Sequence, residues 1–411
     1  MGEQEAWSDL ILAESMSKAG SSDALFTARF FTLFAFTFTV FLSLFQLLPT
    51  APDRILAIGG STSAAGLFLG GLTYASALSA PFTGPLVDRL GQRRVLIVVS
   101  AIIAVFSFLY AFTTNHHVMI ALVVVHGIFW SGLLTASGAY MAAILPESRR
   151  AEGLGYWGFA SITAVGAAPT IGFAVYHFGW FTLCMELLAL NLVMLVIAWR
   201  LPSPPPHAPA AATAAAEPRR QIIDMGALLL SVTMALVSFG YGAVTSFSAL
   251  FADTLGVHVR SLFLITMAVA MIAGRILVGR AIDRIGHRRV LVPALSLATA
   301  GLALTALSTN ALMLGAGGFI FGAGYGLMWP ACAALIIGRA RPERRGAAYG
   351  AMIAAFDTGI GTGSTALGVV IQHFGYRAAF GVAAALAALS APYFLALERR
   401  QARTDVKAQH A

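Results

Sequence analysis

The sequence predicts an all-α membrane protein whose twelve transmembrane helices form two pseudo-symmetric halves of six. Three observations predict it: the chain is too apolar for water, it repeats itself once, and its positive charge alternates from side to side. The 411 residues are 58% apolar and 11% charged, with a mean hydropathy of +0.80, far from a soluble domain. Gly84, Asp88, Arg89, Gly91, Arg93, Arg94, Val95 and Leu96 recur as Gly279, Asp283, Arg284, Gly286, Arg288, Arg289, Val290 and Leu291, eight identities in thirteen positions at an offset of 195. Downstream, Gly155 is answered by Gly350 at the same offset, and His177-Phe178-Gly179 by His373-Phe374-Gly375 at 196.

Crossing the hydrocarbon of a bilayer takes about 20 apolar residues as a helix. Twelve runs meet that length, at about 26–48, 58–83, 95–113, 118–144, 154–176, 180–199, 224–250, 260–282, 290–308, 311–337, 347–371 and 376–397. Before them, residues 1–24 are polar with a weak amphipathic pattern at Trp7, Leu10 and Ile11, the mark of a short surface helix. Span 1 is too long and Phe-rich for a cleavable signal peptide, and it follows acidic instead of basic residues. Spans 1–6 make an N-terminal bundle over 25–200. Residues 201–221 are rich in Pro and Ala and read as an extended or disordered linker. Spans 7–12 make a C-terminal bundle over 222–398, and 399–411 is a short basic tail. An even number of spans per repeat gives both halves the same orientation.

The loops after spans 2, 4, 6, 8 and 10 hold nearly all the arginines, among them Arg89, Arg93, Arg94, Arg149, Arg150, Arg200, Arg284, Arg288, Arg289, Arg339 and Arg345. The other side has only Arg54, Arg260 and Arg377. The positive-inside rule therefore puts both termini and the arginine-rich loops in the cytoplasm. The net charge of +8 reads as topology. Charge split among short loops gives no footprint for nucleic acid. Cys184 and Cys332 both fall inside spans, without metal-ligand spacing or a disulfide framework, and read as small apolar packers. No metal, cofactor or catalytic constellation is indicated, so the chain is not expected to be an enzyme. A long internal repeat in so apolar a chain points to a transporter made of two homologous halves.

Twelve spans, a central linker and Gly-x-x-x-Asp-Arg-x-Gly-x-Arg-Arg between spans 2 and 3, repeated between spans 8 and 9, resemble the major facilitator superfamily over nearly the whole chain. The pattern further looks like its bacterial efflux branch, the drug or sugar exporters that exchange substrate for protons. In that family such loops lock the cytoplasmic gate while the transporter faces outward. The resemblance implies that role for Asp88, Arg89, Gly91 and Arg94, and for Asp283, Arg284 and Arg289 in the second copy. The bland reading is that these arginines only set topology. Exporters of the family show a glycine-rich span 5 ending in Gly-Pro-x-x-Gly. This chain has Ala168-Pro169-Thr170-Ile171-Gly172, where Pro169 would kink the helix and Gly172 would let it pack closely. Such exporters often carry an arginine in span 4, four residues before a glycine. The matching position before Gly127 is Val123, so that proton relay does not carry over.

Ionisable residues in the membrane core are costly and count as functional candidates. Asp357 in span 11 lies 12 residues past Arg345, about 18 Å along a helix. Arg275 in span 8 lies nine residues before Arg284, about 13 Å deep. The two are at depths that allow a fixed ion pair, or one of them serves substrate or proton. Glycines 359, 361 and 363 beside Asp357 would leave room for water or ligand. Glu186 in span 6 is about 9 Å from the outer edge and either solvated or coupling. His126 in span 4, with Trp130, Ser137 and Tyr140 on roughly its face, is either a satisfied core histidine or a proton carrier, since imidazole titrates near neutrality. Phe34, Phe38, Tyr140, Tyr241, Phe247, Tyr325, Trp329 and Phe356 are candidates for a partly apolar cavity wall.

The reading is a monomeric secondary transporter of the bacterial inner membrane, exporting small amphipathic compounds in exchange for protons by alternating access. The alternative is an uptake symporter or facilitator for a sugar or organic anion, with Arg275 anchoring a carboxylate.

Overall fold

A computed structural model of the chain describes residues 24–203, 225–340 and 345–409, with their side chains except at 147, 151, 225, 278–285, 345–347 and 401–409. The expected N-terminal surface helix and nearly all of the linker lie outside the described residues. Within them the chain is helix and short turns, with no strand. The helices are α1 Ala28–Ala57, α2 Thr62–Leu90, α3 Gln92–Phe112, α4 His116–Ile144, α5 Arg150–Tyr176 and α6 Trp180–Arg200, then α7 Met225–Thr254, α8 Leu262–Ile285, α9 His287–Ala306, α10 Ala311–Arg339, α11 Arg345–Ala388 and α12 Ser390–Gln409.

Ten described helical stretches are long and apolar enough to cross a bilayer, and Leu262–Leu277 of α8 is a shorter apolar one. The last of the ten, Ala348–Arg400, runs 53 residues, about twice what one crossing needs. It is broken at Gly375 (φ 80°, ψ 172°), so span 11 ends there and span 12 continues into α12. Twelve crossings follow. The first helix outruns its expected end near residue 48 and continues through Pro49 and Pro52 to Ala57. A proline inside a membrane helix is tolerated where neighbouring groups satisfy the freed carbonyls.

The repeat is written into the corners. The described positive-φ residues are Gly59, Gly91 and Gly179 in the first half and Gly256, Gly286 and Gly375 in the second, offsets of 197, 195 and 196. At Gly91 and Gly286 (φ 84° and 92°) a left-handed residue lets span 2 turn into span 3, and span 8 into span 9, within one residue, as expected of glycine. The other ends of spans 4 and 10 are capped by repeat mates too: Asn115 accepts from His117 N at 2.8 Å and Asn310 from Met313 N at 3.0 Å.

Inside the first half α2 packs on α4, α1 on α5 and α3 on α6; inside the second α7 packs on α11, α8 on α10 and α9 on α10. The halves meet along α2 with α11, α5 with α8, and α1 with α7. The α2–α11 contacts lie in the arginine-poor part of the seam. Tyr74 donates to Thr362 at 2.8 Å, Ser364 donates to the Gly66 carbonyl at 2.9 Å, and Ser63 donates to Gln372 at 2.5 Å. A Cβ at Gly361 would meet Thr73 Oγ1 at 2.5 Å, and one at Gly368 would meet the Thr62 carbonyl at 2.9 Å. Glycine here permits backbone-to-backbone approach. The same holds across α5–α8, where a Cβ at Gly166 would meet Ala268 at 2.9 Å.

Toward the arginine-rich end the situation reverses. Among the described residues, a Cβ at Gly84, Gly138, Gly155, Gly338 or Gly350 would have no neighbour within 4 Å, and Leu78, Phe82 and Leu277 are three-quarters exposed. By the described residues, the halves are closed at the arginine-poor end and parted at the other.

Candidate functional site

The closed end is locked by one arginine. Arg260, in the turn between α7 and α8, grips Asp53 of α1 with two nitrogens, at 2.7 and 2.9 Å. Its Nε and Nη2 also hold Asp253 of α7, the shortest contact being 2.7 Å. The guanidinium lies over the Phe173 ring of α5 at 4.7 Å. Burial works against the Arg260 charge, but the hydrogen bonds to Asp53 and Asp253 outweigh it and raise its pKa. One side chain thus joins the two halves across the seam. Sequence reading assigned Arg260 to topology and passed over Asp53. The available signal was the scarcity of charge on that face, which makes any charged residue there worth pairing.

Below this bridge lies a narrow cleft contributed by both halves, with Phe45, Pro49 and Pro169 on one side and Tyr241, Thr245 and Met267 on the other. Helix α5 runs unbroken through Pro169, and Gly172 one turn on seats against Gln46 of α1, where a Cβ would come within 3.0 Å.

Asp357 stands where the α2–α11 contact gives out. It is half-buried, and among the described residues its one hydrogen-bond partner is Ser76 of α2, whose hydroxyl donates at 3.4 Å. The neighbouring glycines do not open space as expected. A Cβ at Gly359 would meet Ala235 and Ser238 of α7 at 2.5–3.0 Å, and one at Gly361 would meet α2; Gly363 likewise seats on Phe239. They are used up in wedging α11 between α7 and α2, because a helix that touches two neighbours needs small residues on both faces. Arg275 is not beside Asp357 either. It reaches across the other seam to α5, over the Phe159 ring at 5.9 Å, and Gly158 makes room for its Nη1. Helices α8 and α11 do not touch, so the anticipated fixed ion pair is not formed; equal depth along two helices says nothing of which way each side chain turns.

The aromatic candidates divide. Tyr241 and Tyr325 stack at 4.5 Å with rings 3° from parallel, and Trp329 meets Phe356 edge-on at 4.7 Å. Phe356 and Trp329 are half-buried on the C-terminal half. Phe34 and Phe38 are half-buried and packed against the N-terminal cores. Tyr140 and Phe247 are wholly buried. Tyr140 does not line a cavity: its hydroxyl donates to the Pro202 carbonyl at 2.6 Å, fixing the chain as it leaves α6.

His126 is 4% exposed inside the N-terminal bundle. It stacks on Phe106 at 5.4 Å, and its Nδ1 is 3.3 Å from the Tyr110 hydroxyl. With Ser43, Ser107 and Asn191 it borders a separate, narrow cavity lined by the first half alone. Glu186 accepts from Gln46 Nε2 at 3.1 Å, while Glu186 Oε2 and Gln46 Oε1 are buried without a partner among the described residues. It is a membrane carboxylate held by one amide, not a solvated one.

At the arginine-rich end Asp88, Arg89 and Arg94 are exposed, and among the described residues Asp88 makes no hydrogen bond or ion pair. Arg93 differs: its guanidinium donates to the carbonyls of Leu201 and Trp199 at the end of α6. Its repeat mate Arg288 pairs at 2.9 Å with Glu398 of α12, which Arg339 also binds. In both halves this arginine ties the start of the third span to the end of the sixth, where the sequence assigned it to topology alone. The side chains of Asp283 and Arg284 lie outside the described residues, and Arg289 is exposed.

A family model described as Major Facilitator Superfamily matches residues 25–280 and 261–411. The chain is 24% identical over 371 residues to the uncharacterized MFS-type transporter YhhS of Escherichia coli K12, covering 88% of this chain and 90% of that protein. It is 26% identical over 348 residues to the multidrug resistance protein MdtG of Erwinia billingiae, covering 80% and 83%. Among solved structures, a bacterial homolog of the human lysosomal transporter Spinster, in an inward-facing and occupied conformation, aligns with a TM-score of 0.75 at 14% identity, covering 90% of this chain and 96% of that one. The nucleoside transporter NupG aligns with a TM-score of 0.71 at 15% identity, covering 90% and 99%. At such identities the structural likeness speaks for the fold alone.

Proposed function

This chain belongs to the major facilitator superfamily, and on that premise we propose that it exports small amphipathic compounds from a bacterial cytoplasm in exchange for protons. The arginine-rich end is then cytoplasmic, both termini with it, and the protein faces inward with its outer side sealed. The bundles 25–200 and 222–398 rock about a midplane site, the linker 201–221 allowing the motion. A single chain carries both halves, so a monomer suffices.

The observation that carries the reading is Asp357. A carboxylate near mid-membrane, with a single weak hydroxyl partner and a position on the seam where the halves part, is poised to take either a proton or a cationic group. Loading one expels the other, which is the minimum an antiporter needs. Ser76 orients the carboxylate; Phe356 and Trp329 give an apolar ligand a surface. Export over uptake is supported by the span 5 motif at Pro169 and Gly172 and by the MdtG relative.

Switching outward requires the outer seam to open and the inner ends to meet. The contact register suggests how. Eight residues on from Ser76 along α2 and seven back from Asp357 along α11 come Gly84 and Gly350. Three back from Gly158 along α5 and four on from Arg275 along α8 come Gly155 and Gly279. The first pair, Gly84 and Gly350, thus lies on facing helices, and Asp88 with Arg89 and Arg94 lies beside it to latch it.

The test is a substrate screen in proteoliposomes with an imposed pH gradient, reading both substrate movement and internal pH. Export coupled to proton entry is expected. Substrate movement that is indifferent to the gradient, or that runs with the proton, would overturn the reading.

A further inference from the structure

Arg275 has no counter-charge among the described residues. It stands in α8 ten residues before Ile285, about 15 Å from the inner end of the helix. Its contacts are the Phe159 ring and Gly158, and it forms no ion pair or hydrogen bond among the described residues. A guanidinium does not give up its proton in a protein, so it stays positive in every state of the cycle. Asp357 can be neutralised by a proton; no acidic side chain among the described residues neutralises Arg275, which leaves that part to an anion from outside. The costs of charge in a membrane interior make an unpaired arginine there a site that awaits a partner.

The two charges address different flanks of the same space. Asp357 faces α2 through Ser76 and Arg275 faces α5 through Phe159, so both lie on the surface that the C-terminal half turns to the N-terminal one. Their depths are similar, about 18 and 15 Å from the inner helix ends. Helices α7 and α10 stand between α8 and α11, each touching both. They bring Tyr241, Tyr325 and Trp329 into the interval, and Phe356 joins them from α11. Helices α7 and α10 also touch each other, so α8 and α11 occupy the far corners of a rhombus of packed helices, with axes on the order of 15 Å apart.

We propose that the transported compound is zwitterionic: an amphipathic molecule whose cationic group binds Asp357, whose carboxylate-like anion binds Arg275, and whose apolar body lies between them against Phe356 and Trp329. The inference rests on the central site proposed above and names its substrate class. A simple cation would leave Arg275 unneutralised, and a simple anion would leave Asp357 so unless it is protonated. Recognition of both ends falls to the C-terminal half, while the N-terminal half contributes the wall of Ser76 and Phe159.

The test uses three probes on one scaffold: 4-(aminomethyl)biphenyl, biphenyl-4-carboxylate, and 4′-(aminomethyl)biphenyl-4-carboxylate, which carries both groups at opposite ends. Binding to the purified full chain is read by quenching of tryptophan fluorescence and by the thermal midpoint. The zwitterion should bind roughly tenfold or more tighter than either parent. Arg275→Gln should reduce it to the affinity of the amine, Asp357→Asn to that of the carboxylate, and Arg275→Lys should keep most of the preference. Equal affinities for the three probes, absent binding included, overturn the proposal, as does an Arg275→Gln protein that retains the preference. The wild-type comparison needs no variant to fold. Preferential binding without gradient-driven export would remove the antiport reading and leave this one standing; gradient-driven export of the amine as fast as the zwitterion would do the reverse.

Discussion

Replacing Asp53 by asparagine should tip the protein toward its outward-facing state. Asp53 is the N-terminal half's share of the bridge to Arg260, and it is held by two nitrogens at 2.7 and 2.9 Å. Exposed ion pairs contribute about 0–1 kcal/mol, while breaking a buried one costs about 3–5 kcal/mol. Here the side chains keep 14% and 25% of their surface exposed, which sets the bridge between those limits. Arg260 retains Asp253 in the variant, so no orphan cation is left and the upper limit is not reached. About 2 kcal/mol is a fair figure for a bidentate pair in that position, and at 1.4 kcal/mol per decade it changes the ratio of the two states roughly 25-fold. The assay is a distance measurement between spin labels at Thr114→Cys and Thr309→Cys, exposed repeat mates on the outer loops of the two halves; the native Cys184 and Cys332 are buried. Asp53→Asn should lengthen the dominant distance, and Arg260→Ala should do so further by also losing the Phe173 contact. An unchanged distance distribution in both variants would refute the assignment of this bridge as the outer lock.

Four further outcomes are expected. Asp357→Asn should abolish gradient-driven export in proteoliposomes while passive substrate exchange persists; proton-driven transport by a well-folded variant would take Asp357 out of the coupling. Asp88→Asn should cut transport sharply in correctly inserted protein, with Asp283→Asn milder, and near-normal rates in both would reduce the loops to topology. Gly84→Leu combined with Gly350→Leu should leave folding and the outer seal intact, because neither position has a neighbour among the described residues, yet hold the protein inward-facing in the same spin-label experiment. His126→Ala should lower the thermal midpoint, since it strands the Tyr110 hydroxyl in the bundle core, and should leave the pH profile of transport in place; a shifted profile would instead assign the proton to His126.

The spans, their number and the corners were legible because each is a local property: 20 apolar residues, or a glycine at a turn that recurs about 195 residues later. Position along a helix can be counted as well, since rise per residue is fixed. Rotation about the helix axis cannot be read that way. Whether Arg275 turns toward α11 or α5 depends on which helix makes room, and the room is made by Gly158, which in sequence is one glycine among 41. The glycines beside Asp357 were misread for the same reason, as a gap and a close contact leave the same letter. The outer bridge joins residues 207 apart, with no motif to connect them. His126 illustrates a subtler limit. A polar residue on a membrane helix has a polar face to look at, and the first half supplies one of its own in Ser43, Ser107 and Asn191.

The outer α2–α11 seam is made of Gly66, Gly70, Gly361 and Gly368 with Ser and Thr hydroxyls, and few long side chains. Glycine has no rotamers to lose and serine and threonine have few, so closing such a seam freezes little side-chain freedom, whereas each ordered Lys, Arg, Gln or Met would forfeit up to about 2 kcal/mol of it. Opening therefore releases little entropy and closing demands little. Its barrier is set by hydrogen bonds exchanged with water and by backbone contact, both of which reform without a search among side-chain conformers. A seam of this composition suits repeated opening on the timescale of turnover, and lengthening its side chains would slow the cycle even where the closed contact still fits.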